Sequence, residues 1–225
     1  MTTSLSDAGI QFASGNLVDV KTAMPSTGSY TQGDVIVEKS VNGTLSGWKR
    51  LTTGSAHVLG TDWLYFSDGI TLGTAQNTTS GTSIDFTSIP SWVKRITVSL
   101  NGVSTNSTSP VQIQLGSGSV VTTGYSNYVA QVNSGGNGAS SNTSGFIAGW
   151  IGTSSTSTRT GNIVFTLLSS NIWVCAGICS FEASISGIAY ISGSIGLSGA
   201  LDRIRLTTVN GTDTFDAGSV NIMYE

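Results

Sequence analysis

Apolar and polar residues alternate one by one through much of this chain, and that period of two restricts its fold more than any other feature. Ile96, Val98 and Leu100 point one way on an extended strand, while Thr97 and Ser99 point the other. Val111, Ile113 and Leu115 alternate with Gln112 and Gln114, and Ile163, Phe165 and Leu167 make a third such face. Ile204 and Leu206 alternate with Arg203 and Arg205, and Val220, Ile222 and Tyr224 close the series. Half-buried alternation belongs to antiparallel sheets with one face on a core. Ala, Glu, Lys and Leu never cluster with a helical period of 3.6. Turn signals separate the runs. The sharpest is Val209-Asn210-Gly211-Thr212, where Asn-Gly predicts a type I′ hairpin into a short strand from Asp213. Asn101-Gly102 is a similar signal, and the Ser-, Gly- and Asn-rich run from Gln131 to Gly145 predicts a long loop.

What fills the polar positions narrows the reading. Only 9% of the 225 residues are charged, against about 25% in ordinary globular chains. Ser, Thr, Asn and Gly take their place. Hydrophobic residues reach 38%, enough for a core and too many for a disordered chain. A coiled coil needs flanking Glu and Lys that are missing here. Sheet edges in such a chain have few charged blockers, so closure with copies of itself is expected. Net charge is −3, with no basic stripe to neutralise phosphates, which argues against nucleic acid as a partner. No stretch of about 20 apolar residues predicts a membrane-spanning helix. The opening residues Met1 to Ala8 lack the blocks of a secretory signal, so synthesis in a cytoplasm is expected.

The chain divides near residues 67–80. Before that point stand Asp34 to Glu38, Gly47 to Leu51 and the aromatic-rich Asp62 to Phe66, three extended pieces of a small β-module over residues 1–72. The segment Gly73 to Thr82 reads as a linker or first edge strand. From there to Glu225, many short strands with regular turns predict an all-β, antiparallel β-sandwich of jelly-roll type over residues 73–225. There is no fixed-period repeat, which argues against a β-helix or propeller.

Two stretches carry a family resemblance: Gly81 to Ile96, reading GTSIDFTSIPSWVKRI, and Leu201 to Glu225, reading LDRIRLTTVNGTDTFDAGSVNIMYE. Together they resemble the C-terminal domain of phage and prophage tail fibre proteins. Gln114 to Ser119 and Thr122 to Tyr125 fall between them in the expected order. The resemblance covers about residues 73–225. It implies a virion protein at a fibre tip, a homo-oligomer and usually a trimer, with no known enzymatic activity. Tyr30 to Val37 and Gly47 to His57 resemble small β-modules of phage tail proteins, which implies attachment to another virion protein. The coiled coil or β-helix that precedes this domain in long fibres is absent from the 225 residues. A head fibre, decoration or tail-joining protein without a host ligand is therefore the alternative to a receptor-binding tail fibre.

Chemistry-bearing residues are few. His57 is the single histidine, and no Gly-x-Ser-x-Gly elbow stands in a strand-turn-helix context. Asp213 and Asp216 flank a short segment and read as turn-capping groups rather than a glycosidase pair. Asp202 joins them only as a weak calcium candidate. Cys175 and Cys179 would sit about 13 Å apart on one strand face at a ~3.3 Å rise, so two free, buried thiols are expected. Arg203 and Arg205 are expected to pair with Asp85 or Asp202, or with a neighbouring subunit, rather than with an anionic sugar. No catalytic residue, metal ligand or cofactor is expected. Recognition of a host surface polysaccharide needs aromatic faces with hydroxyl and amide partners. Tyr125, Tyr128 and Trp150 flank the long loop and are the candidates for ligand or subunit contact.

Overall fold

The computed structural model describes residues 9–38, 46–67, 70–133, 135–149, 157–182 and 186–225. Trp150 lies outside these residues. The described elements are strands, and they fall into two compact units, Met1–Ile70 and Thr71–Glu225.

The first unit is one five-stranded sheet in chain order: β1 (Ile10–Gln11), β2 (Leu17–Lys21), β3 (Val35–Glu38), β4 (Ser46–Arg50) and β5 (Trp63–Ser67). Among the described strands of this unit only β2 and β3 run parallel. Ile36, Trp48 and Trp63 form its buried centre, with Met24, Tyr30 and Tyr65 packed around it. Gly47 permits that closeness: a Cβ there would stand 2.0 Å from the Ile36 carbonyl oxygen. Arg50 is buried, and its charge helps to lower the pKa of the Asp62 carboxyl. Arg50 lies over the Trp63 ring, 5.1 Å from its centroid, and donates to the carbonyls of Thr52, Gly54 and Ala56. The run Thr52 to Ala56 is thus wrapped around a guanidinium, which explains its small polar residues. Asp34 accepts the amides of Leu17 and Thr31, and Asp62 accepts the Val58 amide and the Thr52 hydroxyl.

The second unit is a β-sandwich. Its strands are β6 (Thr71–Leu72), β7 (Gln76–Asn77), β8 (Ser83–Thr87), β9 (Arg95–Thr105), β10 (Val111–Ser117), β11 (Ser119–Val120), β12 (Ser126–Asn133), β13 (Gly136–Asn142), β14 (Phe146–Ile147), β15 (Thr158–Ser169), β16 (Ile172–Glu182), β17 (Gly187–Gly196), β18 (Arg203–Thr208) and β19 (Phe215–Tyr224). One sheet runs β11-β10-β18-β8, with β14 also on β10. The other runs β13-β12-β17-β16-β15-β9-β19-β6, with β7 also on β19. The alternating apolar residues of both sheets meet in a single core that holds Ile113, Leu115, Ile204 and Phe86 on one side and Val98, Phe165, Cys175 and Ile222 on the other. The antiparallel sandwich follows directly from the period-two pattern. Its strand order includes an up-and-down run, β15 to β17, beside the alternation between sheets seen at β8 to β10.

Three turn expectations change. Asn210-Gly211 makes no hairpin: β18 and β19 lie in different sheets, and of the two residues only Gly211 has positive φ. The Asn210 side-chain oxygen instead accepts the amides of Thr212 and Asp213 and folds a corner from one sheet to the other. Asn101-Gly102 lies inside β9 at a register break, with Gly102 at φ 62°. There Gly218 of β19 comes so close that a Cβ on it would stand 2.5 Å from Gly102 backbone atoms. The run from Gln131 to Gly145 is not a long loop, because Gly136–Asn142 is the strand β13, paired along its length with β12.

Candidate functional site

Of the three candidate aromatics, Tyr125 and Tyr128 lie among the described residues, and they differ in exposure. Tyr125 is buried, against its reading as a contact residue. The reason lies on β10, which pairs with β14 at Gln112 and Ile113 and with β11 at Gly116 and Ser117. The gap at Leu115 is filled by the phenol. Tyr125 Oη accepts the Leu115 amide at 2.8 Å and faces the Val121 carbonyl at 2.9 Å. Its ring packs edge-on to Phe146, and burial pushes its pKa up to about 12. Trp150 falls outside the described residues. Tyr128 stands exposed, on the outer face of β12.

That outer face belongs to the nine-stranded sheet, and its register can be read across seven strands. One row runs Met223, Thr97, Val164, Ala176, Ser192, Tyr128, Ser141. The next runs Asn221, Ser99, Asn162, Ile178, Tyr190, Ala130, Ala139. Neither row contains a charged residue. Exposed apolar side chains gather where β12, β17 and β16 lie side by side: Tyr128, Val132, Ile188, Tyr190, Val174 and Ile178. Sequence reasoning missed this face because it scored each alternating run for its core side alone. The signal was present in β16, where apolar residues stand on both faces at Trp173-Val174-Cys175.

A second feature is concave. At the open edge of the sandwich a cleft of about 350 Å³ is lined by Thr74, Gln76, Asp85, Thr87, Ser88 and Tyr224, among others. Gln76 spans part of the free edge of β8 by donating to the Asp85 carbonyl at 2.9 Å. Ser88 holds φ at 62°, a conformation uncommon outside glycine. The Asp85 carboxylate is fixed by Arg205 through two parallel bonds of 2.7 and 2.8 Å. Arg203 pairs in the same way with Asp202 at 2.7 and 3.2 Å. Both arginines are thus used within the chain, as expected, and their carboxylate partners raise their pKa.

The other chemistry-bearing residues have structural roles. His57 accepts from Trp63 Nε1 through Nδ1 at 3.2 Å and stacks on that ring, while its Nε2 meets the Gly28 carbonyl at 3.1 Å. Both ring nitrogens are engaged in packing. Asp213 is buried and accepts the Ser109 amide, and Asp216 accepts the Ser104 hydroxyl. Asp216 is therefore part of β19 rather than a turn cap. Among the described residues no group of three His, Cys, Asp or Glu side chains comes together to hold a metal. Cys175 and Cys179 are free and buried. Burial raises both thiol pKa values, that of Cys179 to about 12 even though the charge of Arg159 pulls it down. A thiol so held is no nucleophile at neutral pH. Arg159 is itself buried, and burial lowers its pKa to about 10.

Comparison of the chain with protein-family models, curated proteins and solved structures returned no match.

Proposed function

We propose that this chain is a structural protein of a bacteriophage particle, a tail fibre or receptor-binding protein that contacts the host surface non-covalently. The observation that carries the reading is the placement of the two tail-fibre-like stretches. They are separated by more than a hundred residues, yet β8 of the first pairs with β18 of the second, and β9 pairs with β19. Asp85 of one stretch is held by Arg205 of the other. The shared residues are thus those that build one sandwich frame, which is what a resemblance of a whole domain requires.

In this reading the chain works as a homo-oligomer, a trimer by analogy with fibres, and its first unit docks on another virion protein. Neutral outer faces suit contact between copies. The edge cleft suits a hydroxyl-rich ligand such as a surface glycan, with the Tyr224 ring as a platform and Asp85, Thr87 and Ser88 as hydrogen-bond partners. Weak sites on several copies then add through effective concentration. Chemistry on the ligand is not part of the proposal: His57 and the carboxylates of Asp62, Asp85, Asp202, Asp213 and Asp216 make structural bonds.

An adsorption assay tests this. Purified chain, preincubated with host cells, should slow phage adsorption, and Tyr224→Ala should weaken the competition. Absence of competition at saturating chain concentration contradicts receptor binding. Release of reducing sugar from host polysaccharide would make the protein a hydrolase instead.

A further inference from the structure

We infer that the outer face of β12, β17 and β16 is the surface through which copies of this chain assemble, each face being covered by the same face of sister copies. The inference rests on the homo-oligomer part of the proposed function and assigns that contact to specific residues.

The first argument is exposure. Ile178 and Tyr190 are register partners on β16 and β17, and they are 53% and 48% exposed. Ile188 and Val132 are partners on β17 and β12, at 43% and 52%, and Tyr128 reaches 62%. Single exposed apolar residues need no explanation, but a contiguous group marks an interaction surface.

The second argument is charge. The outward positions of β12 and β17 hold no Asp, Glu, Lys or Arg, and β16 carries only Glu182 at its far end. A charged partner would leave its own charges buried and unpaired there, at a cost of several kcal/mol each. The fitting occupant is another uncharged surface. This chain, with 9% charged residues, presents one in every copy.

Size and continuity agree. Together with the flanking β13 and β15, five strands at about 4.8 Å spacing, with four outward residues each at about 6.8 Å, project roughly 650 Å². Side-chain relief brings this near the ~800 Å² per partner of a standard stable interface. At the border of the face, β13 pairs among the described strands only with β12, and its sequence Gly136–Asn142 has neither charge nor proline. Uncovered edges of that kind join other chains, so an interface on this face also shields the edge beside it.

Sedimentation velocity of the full chain tests the assignment. Wild type should sediment as a closed oligomer at micromolar concentration. Ile178→Lys and Tyr190→Glu should each shift it to monomer, with circular dichroism and melting temperature retained because both side chains point away from the core. Ser192→Arg, in the row next to Tyr190, provides a further variant that removes no apolar side chain and should weaken association at least tenfold. Val209→Lys, an exposed apolar position outside the face, should leave the oligomer intact. A wild-type monomer would overturn both the oligomer reading and this interface. A stable oligomer in the folded face variants would overturn the interface alone.

Discussion

The hydroxyl of Tyr125 accepts the backbone amide of Leu115 at 2.8 Å, and so replaces the strand partner that β10 lacks between β14 and β11. Removing that oxygen leaves a buried donor without an acceptor. Tyr125→Phe should therefore destabilise the sandwich by about 1–3 kcal/mol, the cost of a stranded buried amide. Denaturant unfolding measures it, and a change below about 0.5 kcal/mol would mean that water reaches Leu115.

The same residue sets an alkaline limit. Burial raises the folded-state pKa of Tyr125 to about 12, above the ordinary phenol value near 10. The folded state prefers the neutral phenol, so this contribution to stability is complete below about pH 10. It is lost as pH rises from there through about 12. Absorbance of phenolate against pH should show one tyrosine ionising late, and Tyr125→Phe should abolish that late step.

The thiols of Cys175 and Cys179 should behave as core residues. Ellman's reagent should find none in the native protein and two after unfolding without reductant. Reaction in the native state at a rate matching an exposed thiol would contradict their burial.

In the first unit the pH dependence has the opposite sense. The Val58 amide and Thr52 hydroxyl hold the Asp62 pKa below its ordinary value. Its contribution is therefore present above about pH 4 and lost as pH falls through the lowered pKa. Protection factors against hydrogen exchange at residues 58–66 should fall on acidification before those of β15 and β16. Asp62→Asn should show the same loss of protection already at pH 7.

These features differ in how far the sequence disclosed them. Strands built on alternation, such as β9, β10 and β19, could be read directly because hydrophobic burial on one face leaves a period of two. The free thiols were legible from spacing on a strand, and for Arg205 the sequence offered Asp85 beside Asp202 and a neighbouring subunit without choosing among them. The strand β13 was not, because Gly136–Asn142 is held by backbone pairing at an exposed edge and needs no apolar side chain. Gln112 and Gln114 look solvent-facing in sequence but are buried. The segment at Asn142 and Ser144 folds over them and supplies their hydrogen bonds. Tyr125 misled for a related reason, since a tyrosine beside a Gly- and Ser-rich run can cap a strand gap as well as face a ligand. Asn210-Gly211 suggests a hairpin only when the strands on both sides share a sheet, a long-range fact that a local motif does not carry.

An electron-microscopy reconstruction of the particle bearing this chain tests the central claim most directly. The account predicts density for the sandwich at the distal end of a tail fibre, in several copies, with the strands β12, β16 and β17 turned inward on one another. Density on the capsid with no contact toward the host, or single copies with that face open to solvent, would contradict it.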